Sequence, residues 1–406
     1  MGWSISKMSE VTNIISGGTP KSGISDYWFG DVKWITPKDM GKITGIYVSE
    51  TGRNITQLGL EKSSAKLIPE SSVILSTRAP IGHLAINKVP MATNQGCRGL
   101  VPKSTLDTKF LYYFLLKSVS LLNDLGSGTT FKELSKTALE KVEIPHPEIT
   151  EQKRIVAILD QAFADIEQAR AKTKQNLKNA RELFESYLHQ VFSLRGEGWV
   201  ESTLGEVTGG IYTGPFGSLL HKSDYIENGI PLVNPAHITA LGIEVDNRKT
   251  VSKETAERLS SYIMEKGDVV IGRRGEMGRC ALVTSQESGF LCGTGSFFIK
   301  SSSRCDSGYL VRYLRSASCV ARLEKIAGGA VMPNLSNKDL SNFEILLPPI
   351  EKQIEILGLI DILSAETEKV ALIYQKKLTA LEELKKSILQ KAFSGELTKE
   401  KEGAVA

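Results

Sequence analysis

The feature that most limits how this chain can fold is that it is written twice. Gly2-Trp3 precedes Glu10-Val11-Thr12, and Gly198-Trp199 precedes Glu206-Val207-Thr208, each pair 196 positions apart. The same offset carries Val73-Ile74-Leu75-Ser76-Thr77-Arg78-Ala79-Pro80-Ile81-Gly82 onto Val269-Val270-Ile271-Gly272-Arg273-Arg274-Gly275-Glu276-Met277-Gly278. It then becomes 201. Gly128, Leu134-Ser135 and Leu139 meet Gly329, Leu335-Ser336 and Leu340. Glu143-Ile144, Pro147, Ile149, Gln152 and Asp160 meet Glu344-Ile345, Pro348, Ile350, Gln353 and Asp361, and Phe192-Ser193 meets Phe393-Ser394. Ordered matches over the whole length mean a duplicated architecture, and a duplication missed is a fold misread.

Each copy opens with a mixed segment rich in Gly, Ser and Thr. Val73–Leu75 and Val269–Ile271 predict buried strands that leave into Gly-bearing loops. An amphipathic helix is expected over Phe110–Leu122 and again over Tyr309–Ile326. Proline then closes each segment, at Ile144-Pro145-His146-Pro147 and Leu347-Pro348-Pro349, where it stops a strand and precedes a helix.

Each copy ends in a long helix. Thr150 to Phe192 holds no Pro or Gly. Apolar or small residues recur at Ile155, Leu159, Ala162, Ile166, Ala169, Thr173, Leu177, Ala180, Phe184, Tyr187 and Val191, in steps of mostly four and three. The second copy repeats this at Ile356, Ile360, Leu363, Thr367, Val370, Tyr374, Leu378, Leu381, Leu384, Ile388 and Ala392. That is the seam of a coiled coil, on a helix roughly 65 Å long at about 1.5 Å per residue. Two long, narrow stripes predict that the helices pack on each other. The connection around Leu194–Gly198 is short, so antiparallel pairing is expected, with the two globes related by a pseudo-twofold axis. The expected fold class is α+β: two globular α/β domains alternating with two long helices paired as an antiparallel coiled coil.

Composition removes several classes. The 406 residues are 41% hydrophobic and 24% charged, with a net charge of +4, the balance of a globular protein rather than a disordered one. The basic excess sits in residues 1–146, which permits a polyanion partner without announcing one. No apolar run spans a bilayer, and Met1-Gly2-Trp3-Ser4 lacks the features of a secretory signal. Met1-Gly2 with Ser6 fits the loose myristoylation pattern, but bulky Trp3 opposes it. Cys97, Cys280, Cys292, Cys305 and Cys319 are odd in number and form no Cys-x-x-Cys pair, the pattern of a reducing compartment. The cytoplasm is the expected location.

Catalytic motifs fail one by one. Gly17-Gly18-Thr19-Pro20-Lys21-Ser22-Gly23 has Pro where a phosphate-binding loop needs its second Gly. Asn234-Pro235-Ala236-His237 lacks the second Pro and the aromatic of an amino-methyltransferase motif. No dinucleotide-binding Gly pattern is visible, and His83, His146, His189, His221 and His237 have no metal-ligand spacing. Glu265, Lys266 and Asp268 could be drawn as a nuclease cluster but read as a solvated turn. A rod with two different globes and no active site points to a binding protein.

Ser387-Ile388-Leu389-Gln390-Lys391-Ala392-Phe393-Ser394-Gly395-Glu396-Leu397-Thr398 closely resembles the C-terminal signature of the specificity (S) subunits of type I restriction-modification systems. So does the Leu-Ser, Glu-Ile, Pro, Ile, Gln, Asp pattern of Leu134–Asp160 and Leu335–Asp361. The resemblance covers the whole chain and implies target recognition domains at 1–146 and 198–347, conserved helical regions at 147–197 and 348–396, and a C-terminal tail at 397–406. It implies a subunit without catalysis or cofactor of its own, partnered by double-stranded DNA and not by a membrane. Two methyltransferase (M) subunits would carry S-adenosylmethionine chemistry on adenine N6. Two restriction (R) subunits would add ATP- and Mg-dependent translocation and cleavage. The S subunit would read an asymmetric split site, one globe per half, with the helix pair setting the unread gap.

Base reading favours side chains that make paired hydrogen bonds: Arg to guanine, Asn or Gln to adenine. The first copy offers Arg78, Asn94, Gln95 and Arg98, with Thr36, Lys38 and Lys132 as phosphate or base contacts. The second offers Asn234, Arg273, Arg274, Arg279 and Asn334, joined by His237 and Glu276. The competing expectation is a coiled-coil scaffold whose globes bind protein.

Overall fold

The computed structural model describes residues 3–128, 132–193, 195–216, 219–328 and 333–398. Gly2, Leu194, Gly329 and residues 399–406 of the tail lie outside the described residues. The chain divides into two compact units that do not follow chain order: Met1–Lys174 with Lys376–Ala406, and Gln175–Gln375.

The first unit is built on a five-stranded sheet, in the order Thr12–Ser16, Cys97–Pro102, Val73–Thr77, Ile81–Asn87, Tyr47–Val48. Val73–Thr77 is fully buried because both its faces are covered, which is why its sequence is continuously apolar at the start. Val73 and Leu75 pack with Phe110, Leu111 and Leu115 of the helical layer, whereas Ile74 faces Ile35, Ala85 and Met91 on the other side. A smaller sheet, Arg53–Ile55, Trp28–Ile35, Met91–Thr93, lies alongside. The second unit repeats the plan. Its sheet runs Ile211–Thr213, Ser296–Ile299, Val269–Gly272, Cys280–Leu282, and Val269 and Ile271 again face helices while Val270 faces away.

The amphipathic helices are broken where one continuous helix was expected. The first is Thr108–Lys117 followed by Val119–Asp124, and the second is Ser307–Arg315 followed by Ala317–Ile326. A serine stands at each break, Ser118 or Ser316, and Ser316 Oγ accepts from Cys319 N. Serine hydroxyls compete with helical backbone bonds and favour such restarts. Gly82 and Gly278 explain how closely these helices approach. Both have positive φ, and a Cβ there would lie 2.6 Å from Val119 Cγ1 and 2.5 Å from Val320 Cγ2.

The long helices run Ile149–Ser193 and Ile350–Phe393. Each is fastened to the domain before it by a glutamine in its first turn. Gln152 is fully buried, accepts from Asp107 N at 2.8 Å, and donates to the carbonyls of Thr105 and Pro147 at 2.8 Å. Gln353 does the same with Asp306 N (2.8 Å), Arg304 O (2.9 Å) and Pro348 O (2.8 Å). The far end of each helix enters the other unit. Phe393 packs edge-on against Phe114 and tilted against Phe110, with Leu389 and Ala392 in the same core. Phe192 packs against Tyr309 and Tyr313, with Val191 beside it.

Within the first unit the helices run antiparallel: Lys385 pairs with Glu167 at 3.3 Å and Glu382 with Arg170 at 2.8 Å. One stripe residue departs from expectation. Leu384 is 47% exposed, and Lys385 takes the seam position, its Nζ over the Phe163 ring at 4.8 Å. The lysine stem covers apolar surface while its ammonium reaches Glu167.

Asp268 also differs from the solvated turn expected of it. It is 1% exposed, accepts from Glu265 N at 2.8 Å, and pairs with Lys300 at 2.9 Å. Lys300 also reaches Glu265 at 3.0 Å, so the carboxylate is an internal anchor of its turn. Lys266 is exposed.

Candidate nucleic-acid interface

The loop that leaves each central strand is laced by backbone hydrogen bonds to segments distant in sequence. In the first unit Thr77 N donates to Gly96 O (2.7 Å), Leu134 N to Thr77 O (3.0 Å), Asn94 N to Ile35 O (3.0 Å) and Gly18 N to Thr93 O (2.9 Å). In the second, Arg273 N donates to Gly295 O (3.0 Å), Leu335 N to Arg273 O (2.9 Å), Gly293 N to Val233 O (3.0 Å) and Gly214 N to Ser296 O (3.0 Å). The first three bonds of each set correspond, so one frame is built twice, while the fourth differs: Thr93 ends the strand before Gly96, and Ser296 begins the strand after Gly295. Glycine makes it possible: a Cβ on Gly17 would stand 1.9 Å from Asn94 O, and one on Gly214 2.0 Å from Gly293 O. The result in each unit is a rim that gathers most of the residues nominated from sequence.

In the first unit Thr36 caps the short helix Pro37–Met40, and its hydroxyl donates to Asp39 at 2.7 Å. Thr36 is thus committed to its own turn, while Lys38 beside it is exposed. Arg78 extends from the loop and pairs with Glu133 at 2.5 Å. Asn94 Oδ1 accepts from Gly96 N at 3.0 Å, and Gln95, exposed, accepts from the Thr19 hydroxyl. Arg98 lies on the strand itself, with Nη1 donating to Ser16 Oγ at 2.7 Å and Nε buried without a partner among the described residues. Burial pulls the Arg98 pKa below its ordinary value, and Glu133 is the largest opposing influence. Lys132 is exposed, next to Glu133.

In the second unit Asn234 and His237 occupy the turn equivalent to Thr36–Asp39, Asn234 N lying 3.3 Å from His237 Nδ1 and that ring nitrogen 2.8 Å from Leu232 O. Arg273 Nε donates to Asn334 Oδ1 at 3.3 Å, and its guanidinium lies 5.4 Å from the centroid of the Phe297 ring. Burial, then the neighbouring Arg274, lowers the Arg273 pKa. Arg274 is exposed and its backbone bridges Asn334. Arg279 is turned back onto the fold, bonded to Glu276 and to Pro235 O.

Four side chains that hold the nominated ones were not nominated: Asp39, Glu133, Ser16 and Thr19. Glu133 had a signal. It stands 201 positions before Asn334, and both residues bridge the loop arginine, Arg78 or Arg274, and a second strand segment, Ser127 or Gly328. The chemistry of the rims is what differs: Arg78–Glu133 and a half-buried arginine in one, Arg273–Asn334 over an aromatic ring in the other. Arg, Lys, Asn and Gln side chains on such a frame can donate to phosphates and pair with base edges.

Known proteins share this plan. The type I restriction modification DNA specificity domain matches twice, over residues 1–179 and 196–383. The MjaIX type I restriction enzyme specificity subunit of Methanocaldococcus jannaschii is 29% identical over 413 residues, covering 97% of this chain and 93% of that one. Among solved structures, the HsdS subunit of Thermoanaerobacter tengcongensis superposes with a TM-score of 0.66 at 20% identity, over 98% of this chain and 97% of its own. A chain from a type I R-M system, solved in a study of complex assembly and conformational transition, gives 0.75 at 22%, over 98% of both chains. With a duplicated domain, paired helices and a matching family model over nearly its whole length, the chain belongs to the DNA specificity subunits of type I restriction-modification systems.

Proposed function

We propose that this chain reads an asymmetric, bipartite DNA site, one rim per half-site, and has no catalytic chemistry or cofactor of its own. The observation that carries this is the pair of rims: one backbone frame, repeated, presenting different side chains. Equal frames with unequal readers recognise two different short sequences rather than a palindrome. Domain boundaries at 1–146, 147–197, 198–347, 348–396 and 397–406 fit this division of labour. The fourteen nominated residues fall into roles. Arg78, Gln95, Arg274 and Asn334 are the base readers. Lys38 and Lys132 hold phosphates. Thr36, Asn94, Arg98, Asn234, His237, Arg273, Glu276 and Arg279 shape the rims or join the readers as the DNA closes on them.

The long helices fix the unread gap and dock two M subunits. These bring S-adenosylmethionine, and two R subunits bring ATP and Mg, with the assembly acting in the cytoplasm. Sequencing the methylated bases of a host with and without this chain, its M subunits present in both, tests the reading. A split motif present only with the chain is expected, and an unchanged methylation pattern overturns it. Matched four-residue insertions after Lys174 and Gln375 add about one helical turn, roughly 6 Å, to each helix. They should lengthen the gap and leave both half-sites intact. An unchanged gap would refute the helices as the ruler.

A further inference from the structure

We infer that Glu133 is a positioning residue for the first half-site: it aims the Arg78 guanidinium, and so determines the base that Arg78 selects. This rests on the reading of the first rim as a DNA surface. A carboxylate on such a surface is repelled by phosphates, so its presence calls for a compensating task. The geometry supplies one. Arg78 follows a fully buried strand on a loop whose Ala79 has a φ of 39°, and its long side chain is 44% exposed. Left alone, such a side chain samples many rotamers. Glu133 Oε2 holds Nη2 at 2.5 Å while the two backbones are bridged, so both ends of the contact are fixed. Arg78 has no other hydrogen bond among the described residues, so the second N–H of Nη2, together with Nε or with Nη1, remains available for a paired contact to a base edge. Glu133 also acts on the half-buried Arg98.

The second unit supports the assignment with different chemistry. The equivalent Asn334 holds Arg273 through Nε, also from a backbone bridged to the loop. One position in each unit therefore anchors a loop arginine, by a charged group in the first and a neutral one in the second. Glu133 alone of the two opposes DNA in general while favouring one orientation of its arginine. Removing its charge should raise affinity and lower selectivity together, a combination that a merely structural residue does not produce.

The experiment uses the chain assembled with its M subunits. Glu133→Gln, Glu133→Ala and Glu133→Asp complexes methylate a DNA library randomised at each half-site, and binding to duplexes with and without the site is measured across salt concentrations. Glu133→Gln and Glu133→Ala should bind site-free DNA more tightly than wild type. They should also lose about fivefold or more in selectivity at one position of the first half-site, the smaller end of what an arginine–guanine pair contributes. Glu133→Asp, which keeps the charge, should fall between them and wild type. Tighter binding with an unchanged motif would reduce Glu133 to a general brake on DNA binding and overturn the inference. So would loss of selectivity at every position of the first half-site, which would mean that the loop itself had collapsed. A wild-type complex with no motif at all would instead sink the DNA reading on which the inference stands.

Discussion

The two units differ least where helix meets domain and most where the central strand ends. Gln152 and Gln353 make the same three hydrogen bonds to equivalent backbone groups. Phe393 and Phe192 fill the same slot, one against Phe110 and Phe114, the other against Tyr309 and Tyr313. At the rims three backbone bonds correspond, but the counterpart of Thr77 is Arg273, that of Arg98 is Phe297, and that of Glu133 is Asn334. Duplication has kept the parts that assemble the molecule and released the rims, which on the proposed reading distinguish one sequence of bases from another. The comparison also shows what each side chain is for, since a residue shared by both units serves the frame they share.

The comparison breaks most forcefully at the aromatic plugs. Phe393→Ala should destabilise the first unit by about 3–5 kcal/mol, the usual result of emptying a buried phenylalanine site. Phe192→Ala should do the same to the second. Unit-resolved hydrogen exchange checks this: each substitution should raise exchange in one unit's central strand, Val73–Thr77 or Val269–Gly272, and leave the other protected. Equal effects in both units would mean that they do not unfold separately. Next come the glutamine clamps. Gln152→Ala leaves Asp107 N–H and two carbonyls without their buried partner, at a cost of about 1–3 kcal/mol. Gln353→Ala should match it, and denaturant midpoints for the two variants would show whether the clamps are as equivalent in energy as in geometry.

The substitution with the smallest effect on stability should sharpen the difference between the rims. Arg274→Ala should relax one base position of the second half-site by about 1–3 kcal/mol of discrimination if the arginine reads a base. It should weaken all sequences alike and flatten the salt dependence if it holds a phosphate. In neither case should the half-site assigned to Arg78 change, and library methylation reads both halves at once. Loss confined to the first half would show that the halves are assigned to the wrong units.

Much of this frame is legible in the sequence because periodicity survives duplication. The helix stripes, the buried strands at Val73 and Val269 and the antiparallel pairing all follow from spacing and from a short connection. What spacing conceals is the partner. Gln152 and Gln353 match in the repeat, but of their backbone partners only Pro147 and Pro348 are close in sequence; Asp107, Thr105, Asp306 and Arg304 lie 45 to 49 residues away, so the clamp appears only in three dimensions. Leu384 fits the stripe by count yet turns outward, since Lys385 offers both apolar stem and charge to Phe163 and Glu167. Ser118 and Ser316 break helices that hydrophobic periodicity runs together. At the rims, residue type picks out groups whose chemistry suits phosphates and base edges but not which of them are already engaged. Arg279 is bonded to Glu276 and Pro235, and Thr36 to Asp39, and neither commitment leaves a mark in the local sequence.

The exchange of helix ends has a consequence for how the molecule is made. The second unit is one uninterrupted stretch, Gln175–Gln375, whereas the first needs Lys376 onward to be complete. During synthesis the earlier-made domain must therefore wait, with Phe110 and Phe114 uncovered, until Leu389, Ala392 and Phe393 leave the ribosome. The later-made unit has all its own parts before then. A message cut short before Leu389 would yield a protein whose damage lies at its beginning, in the domain translated first.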